Sequence, residues 1–239
     1  VTVVDLMHDA ALLWTGGKDS SMALYEADRH GCRVRCLVTF APPEPEFLAH
    51  PLALIKLQAQ ALALPHHVLP IRAPFEKSYE TSLRRLQEEM GVDCVVTGDI
   101  AEVDGHPNWI RERSRSTGLR VETPLWQRDR NALLRQLLDR GFRARVSCVK
   151  TRWLDETWVG RELNDTAIDE LRIVREQTGL DLCGEEGEFH TCVIDGPRFT
   201  RGIDIRAYSR RTTESLAYME IDEMALVDLV DCEKPVSDG

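Results

Sequence analysis

The sequence predicts an α/β fold: a doubly wound parallel sheet with a smaller C-terminal α+β domain. Three observations carry that expectation. Over the first 150 residues, short apolar β-rich runs alternate with helical segments, the pattern of strands joined by crossover helices. A run at residues 11–14 leads through two glycines directly into a helical stretch. Beyond residue 150 apolar and polar residues alternate, as at Ile203 and Ile205 or Leu216, Tyr218 and Glu220, which marks antiparallel strands with one wet face.

The elements follow in order. Residues 11–14 read as a short buried strand and 20–29 as a helix, with Met22, Ala23, Leu24 and Ala27 on its apolar side. Residues 34–40 form a strand, 52–63 a helix and 67–71 a strand. Residues 75–90 form a helix that stops at Gly91, which takes a left-handed cap without steric penalty. Residues 92–97 are an apolar run bounded by Gly98, typical of a strand covered on both faces. Residues 108–117 and 129–140 are helices, the second closed by Gly141, and 142–149 is a further strand of the parallel sheet. A helix at 165–177 has Asn164 as its cap. Residues 233–239 read as a frayed tail. The expected division is a nucleotide-type domain at 1–150 and a second domain at 151–239. Ligands of such sheets bind beyond the carboxyl ends of the strands, so the loops after Trp14, Phe40 and Thr97 should share one rim.

Composition narrows the function classes. The chain has 239 residues, 43% of them hydrophobic and 29% charged, as in a soluble globular protein. No apolar run approaches the roughly 20 residues that span a bilayer, and no signal peptide is visible, so the expected location is cytoplasmic, without a membrane partner. A formal net charge of −10 argues against broad nucleic-acid binding, which needs a basic footprint. The seven cysteines (Cys32, Cys36, Cys94, Cys148, Cys183, Cys192 and Cys232) include no Cys-x-x-Cys pair and read as reduced thiols.

The most informative stretch is Thr15-Gly16-Gly17-Lys18-Asp19-Ser20-Ser21. Two glycines let the backbone turn sharply and approach an anion. The helix that follows presents unpaired N–H groups and a partial positive charge. Thr15, Ser20 and Ser21 add hydroxyls and Lys18 a full charge, while Asp19 suits phosphate only if it holds Mg²⁺ or caps the turn. Lys18 and Asp19 are expected on a solvent-facing rim. The loop is neither a Walker A motif nor Gly-x-Gly-x-x-Gly. A second cluster, Cys183-Gly184-Glu185-Glu186-Gly187-Glu188-Phe189-His190-Thr191, gathers three carboxylates and an imidazole. Crowded carboxylates suit a base of raised pKa, or a site for ammonium, a cationic group or a metal. Arg111, Arg113 and Arg115 fall on the 108–117 helix and suit an anionic substrate or a solvated face. His50, His66 and His67 read as ordinary loop or strand-edge histidines.

The loop resembles the Ser-Gly-Gly-x-Asp-Ser hallmark of the PP-loop ATP pyrophosphatases, adenine-nucleotide alpha hydrolases of HUP/Rossmann-like fold, with Thr15 in place of the first Ser. Further segments resemble the diphthine–ammonia ligase family: Thr97-Gly98-Asp99-Ile100, Pro124-Leu125-Trp126-Gln127-Arg128-Asp129, and the stretch from Leu154 to Arg161. So do the segment from His50 to Gln60, ending in Leu57-Gln58-Ala59-Gln60-Ala61, the Gly-Glu-x-Gly-Glu-Phe-His-Thr string ending at Thr191, and Asp195-Gly196-Pro197. A chain this acidic and rich in Arg over Lys points to a bacterial relative.

The resemblance implies an ATP-dependent ligase. A substrate carboxylate attacks the α-phosphate of ATP, pyrophosphate leaves, and ammonia displaces AMP. Catalysis would fall to Lys18, Asp19, Glu185, Glu188 and His190. ATP would meet Thr15, Gly16, Gly17, Lys18, Asp19, Ser20, Ser21, Phe40, Gly98 and Asp99, with Mg²⁺ on Asp19. The acid would meet Arg111, Arg113, Glu185, Glu188, His190, Thr191 and Asp195. The family pattern Tyr-Gln-Arg-x-Arg is replaced here by Trp109-Ile110-Arg111-Glu112-Arg113. The acid is therefore a modified protein side chain or a small molecule, such as a corrinoid precursor in B12 salvage. A tRNA-thiolating PP-loop enzyme and a non-catalytic adenine-nucleotide sensor are the other readings, and a homodimer is left open.

Overall fold

A computed structural model describes residues 7–102 and 108–229 of the chain. The expected tail at 233–239, Cys232, and His106 and Pro107 lie outside the described residues. In chain order the described strands are β1 (His8–Leu13), β2 (Cys32–Ala41), β3 (His66–Pro70), β4 (Cys94–Val96), β5 (Arg120–Glu122), β6 (Arg143–Lys150), β7 (Phe189–Asp195), β8 (Gly202–Thr212) and β9 (Leu216–Val227). The α-helices are α1 (Lys18–Glu26), α2 (Leu52–Ala61), α3 (Phe75–Met90), α4 (Trp109–Ser114), α5 (Arg130–Asp139) and α6 (Asp165–Thr178). Contacts divide the chain into two compact units. One comprises the chain up to Thr15 with Asp19–Glu46 and Leu64–Gln127; the other comprises Gly16–Lys18, Phe47–Ala63 and the chain from Arg128 onward.

The first unit is built on a five-stranded parallel sheet of order β3-β2-β1-β4-β5. Both of its faces are buried. Ala11, Cys36, Val38, Leu69 and Val95 pack with Leu83 and Leu86 of α3 and Ile110 of α4. The intervening Ala10, Leu12, Leu37, Cys94 and Val96 are buried as completely. This two-sided burial is why these strands read as apolar runs rather than alternations. The winding reverses at β1, which pairs with β2 on one side and β4 on the other. The carboxyl ends of β1 and β4 therefore flank the topological switch point, where this architecture binds ligands.

Local chemistry explains the helix limits. Asn108 Oδ1 accepts from the Arg111 N–H, Asp129 Oδ1 from the Ala132 N–H, and Asn164 Oδ1 from the Ala167 N–H. Each satisfies a donor that the first turn leaves unpaired. Gly91 closes α3 and Gly179 closes α6, at φ of 65° and 82°.

The second unit carries a four-stranded antiparallel sheet of order β7-β6-β9-β8. One expectation is corrected here. The strand expected at 142–149 belongs to this sheet, not to the parallel one, and pairs antiparallel with β7 and β9. Its start, Arg143-Ala144-Arg145-Val146, alternates charged and buried residues, which marks a strand with one wet face. The edge strand β5 was not expected; three residues with Arg120 and Glu122 at its ends carry no apolar run.

Candidate active site

On the first unit, the rim at the switch point gathers Thr15, Asp19, Ser20, Ser21, Gly98 and Asp99. Strand β1 ends at Leu13, and Trp14 extends the pairing by donating its N–H to Val38 O at 2.7 Å. Thr15 is exposed and its hydroxyl lies 3.3 Å from Ser20 Oγ, while Asp19 is half-buried. Gly98 follows β4 against the first turn of α1. A Cβ there would lie 2.6 Å from the Asp19 carbonyl carbon and 2.7 Å from the Ser20 nitrogen. Only glycine permits that approach. Asp99 accepts a hydrogen bond from the Asn108 side-chain amide. Phe40, at the end of β2, packs its ring 4.8 Å from Tyr79, which lies 5.9 Å from the ring of Trp109.

The two candidate arginines diverge. Arg111 donates to Val121 O at 3.3 Å and Thr123 Oγ1 at 3.1 Å. The Arg113 guanidinium pairs with Glu80 at 3.2 Å and stacks 5.0 Å from the Trp109 ring. Both already hold protein partners, so the structure does not bring them together as one clamp.

On the second unit, the segment Gly16–Lys18 is tied down by groups distant in sequence. Gly16 takes φ of 80°, and a Cβ there would collide with Gln58 Oε1. Its carbonyl accepts from Gln58 Nε2 at 2.8 Å and from the Val193 N–H at 3.0 Å. Gln58 Nε2 also donates to Val193 O at 2.8 Å. Lys18 departs from expectation: it is only 3% exposed rather than on an open rim. Its N–H donates to Thr191 Oγ1 at 3.1 Å and its ammonium to Cys183 O at 2.5 Å, with Nζ 5.7 Å from the Phe189 ring centroid. A lysine this buried needs such partners, because the charge would otherwise be desolvated without compensation.

The acidic motif organises itself around Glu188. That side chain is 1% exposed, and its two oxygens accept from the Asp181 N–H at 2.9 Å and the Glu186 N–H at 3.0 Å. The carboxylate thus staples the 181–188 loop from within. Lys150 holds the same loop by donating Nζ to Glu186 O and its N–H to Glu188 O, both at 2.8 Å. Glu185 is half-buried, and Asp195 accepts from the Gly196 N–H at 2.7 Å. The His190 ring stands edge-on to His50, centroids 5.4 Å apart. Burial first, then the Lys18 and Lys150 ammonium groups, holds the His190 pKa below its usual value. Burial, with His190 and Lys18 adding to it, drives His50 down to about 3.

Sequence reasoning overlooked two residues here. Gln58 is a fully buried amide on a helix whose other buried positions are apolar apart from it; a lone Gln on an apolar face was the available signal. His50 reads as an ordinary histidine from the sequence although it falls within a family motif, the segment from His50 to Gln60. Among the described residues no three His, Cys, Asp or Glu side chains converge as a metal cage, and no helix is long and apolar enough to cross a membrane.

A parallel sheet wound outward from a central strand, with a Gly-Gly-Lys loop at that strand's end and a second glycine packed on the following helix, defines a PP-loop-type α/β protein. The profile of the diphthamide synthase N-terminal domain matches residues 7–121 and that of the C-terminal domain matches residues 129–227. The chain belongs to the diphthamide synthase family. It is similar to the diphthine–ammonia ligase of Homo sapiens, 26% identical over 255 residues that cover 94% of each chain. The Bos taurus ligase of that name is 26% identical over 98% of this chain and 96% of its own. The Danio rerio one is 25% identical over 82% and 85% respectively. Among solved structures, a predicted subunit of tRNA methyltransferase from Methanocaldococcus jannaschii is similar with a TM-score of 0.46 and 18% identity, over 79% of this chain and 97% of that one.

Proposed function

We propose that this chain is an ATP-dependent carboxylate–ammonia ligase. The loop from Thr15 to Ser21 takes the phosphates of ATP, the substrate carboxylate attacks the α-phosphorus, and the bond from that phosphorus to the α,β-bridging oxygen breaks to release pyrophosphate. Ammonia then adds to the acyl carbon and AMP departs, giving the amide. Adenylation turns a poor leaving group, carboxylate oxygen, into a good one, and the site must keep water from the activated acyl group.

The observation that carries the reading is the loop at the switch point, with Gly98 pressed on the backbone of Asp19 and Ser20. Glycines at that junction hold strand end and helix start at a spacing suited to phosphate. Family membership supports it, because relatives spanning nearly the whole chain are named diphthine–ammonia ligases. The residues present suit Mg²⁺ that arrives with the nucleotide, since Mg²⁺ is held by one or two carboxylates plus phosphate oxygens and water. Asp19 is the carboxylate of the loop that would hold it.

Glu185, Glu188, His190, Thr191 and Asp195 make up the acid-binding side of this proposal. Glu188 serves by holding the 181–188 loop in shape. The acid is a diphthine-type side chain, with a small carboxylate such as a corrinoid precursor as the alternative.

The test is incubation with α- and γ-labelled ATP, Mg²⁺, ammonium and a panel of acids. Acid-dependent AMP and pyrophosphate are expected; ADP as the product would overturn the assignment.

A further inference from the structure

His50 holds a polar atom that nothing in the protein satisfies. Its Nδ1 is buried and has no hydrogen-bond partner among the described residues. Buried polar groups are almost always paired, so an orphan of this kind calls for an account. Its surroundings supply one. The ring stands edge-on to His190 at 5.4 Å, and both imidazoles lie within electrostatic reach of the Lys18 ammonium. A cation beside the orphan draws an anion to it rather than ammonium.

Resting on the reading of the loop as a phosphate site, we propose that His50 is a phosphate-contact residue. Its Nδ1–H donates to a phosphate oxygen of the nucleotide held by Lys18. Within the protein Nδ1 is buried and unbonded; a phosphate oxygen supplies the acceptor that the surrounding side chains do not. A neutral donor suits this place. The imidazole adds a directed hydrogen bond next to a charge that Lys18 already provides, without a second desolvated cation.

The experiment uses inorganic pyrophosphate as the probe on the full chain. Its affinity is measured by calorimetry for the wild type and for His50→Asn, His50→Gln and His50→Leu. Asn places a donor near the position of Nδ1, Gln places one near Nε2, and Leu removes both. Loss of a charge-assisted hydrogen bond predicts roughly tenfold or greater weakening in the Leu and Gln variants, with affinity near wild type in Asn. Thermal unfolding of each variant shows whether it is folded. If Leu or Gln does not fold, the side-chain nitrogen spectrum of His50 in the wild type decides instead. The Nδ1 resonance should move as pyrophosphate is added.

Shifts at the Gly16, Gly17 and Lys18 amides with unchanged His50 nitrogens and unchanged Leu-variant affinity would overturn the role of His50 while leaving the loop reading intact. No shift at either place would overturn both.

Discussion

At the scale of single residues, Gly98 and Gln58 act by geometry and His50 by its protonation. Gly98 touches the backbone of Asp19 and Ser20, so Gly98→Ala must push α1 away from β4. Overpacking of this kind costs about 1–3 kcal/mol. The expected outcome is a folded protein that has lost AMP formation from ATP; wild-type turnover would show that the contact is dispensable. Gln58 joins Gly16 O to Val193 O. Gln58→Leu leaves Val193 O short of its partner in a buried setting, a loss of about 1–3 kcal/mol in urea unfolding. His50 resists protonation in the fold, with a pKa near 3, but not in the unfolded chain. The unfolded state therefore binds more protons at acid pH. The contribution of His50 is intact above about pH 6.5 and is lost as the pH falls from there toward 3, at up to about 1.4 kcal/mol per pH unit. His190, shifted in the same direction, adds to that slope. Stability measured from pH 7 to pH 5 should fall less steeply in His50→Gln than in the wild type; equal slopes would rule His50 out as the source.

At the scale of elements, helix α3 packs two fully buried leucines on the parallel sheet. Leu83 and Leu86 are fully buried against Ala11, Val38, Leu69 and Val95. Leu83→Ala should cost about 2–5 kcal/mol, because the rigid sheet beneath cannot collapse into the cavity. A loss well under 1 kcal/mol in denaturant titration would mean that α3 repacks. This helix was readable from residues 75 to 90 because its amphipathic pattern and its closing Gly91 agree. Strand β6 was readable as a strand but not as a member of its sheet. Period and propensity report how a segment is buried, and only pairing partners 40 to 70 residues away, in β7 and β9, decide which sheet it joins. Strand β5 escaped because three edge residues need little apolar surface.

At the scale of the whole molecule, the chain carries a formal net charge of −10, and the loop proposed for phosphate must bind a polyanion against it. Local donors must overcome that field, so the nucleotide should bind with its Mg²⁺ and stabilise the fold on binding. At a concentration of 100 times Kd, MgATP should add about 2.7 kcal/mol to unfolding free energy. An unchanged melting temperature over that range, in a preparation shown to be folded, would mean that ATP does not bind. Gly16→Val should abolish the shift, since the position requires φ of 80° and has no room for a side chain.

The order of residues was enough to define the α/β class, the strand–Gly-Gly–helix junction and the family motifs, because each rests on local spacing: period, caps and turn glycines act within a few positions. Contacts across the chain assigned the remainder. They buried Lys18 on the Cys183 carbonyl, turned Glu188 inward as a staple for its own loop, sent Arg111 and Arg113 to separate partners, and set His50 against His190. A charged side chain in a sequence looks like a reagent. Whether it faces a ligand or satisfies a buried backbone group depends on what folding packs around it.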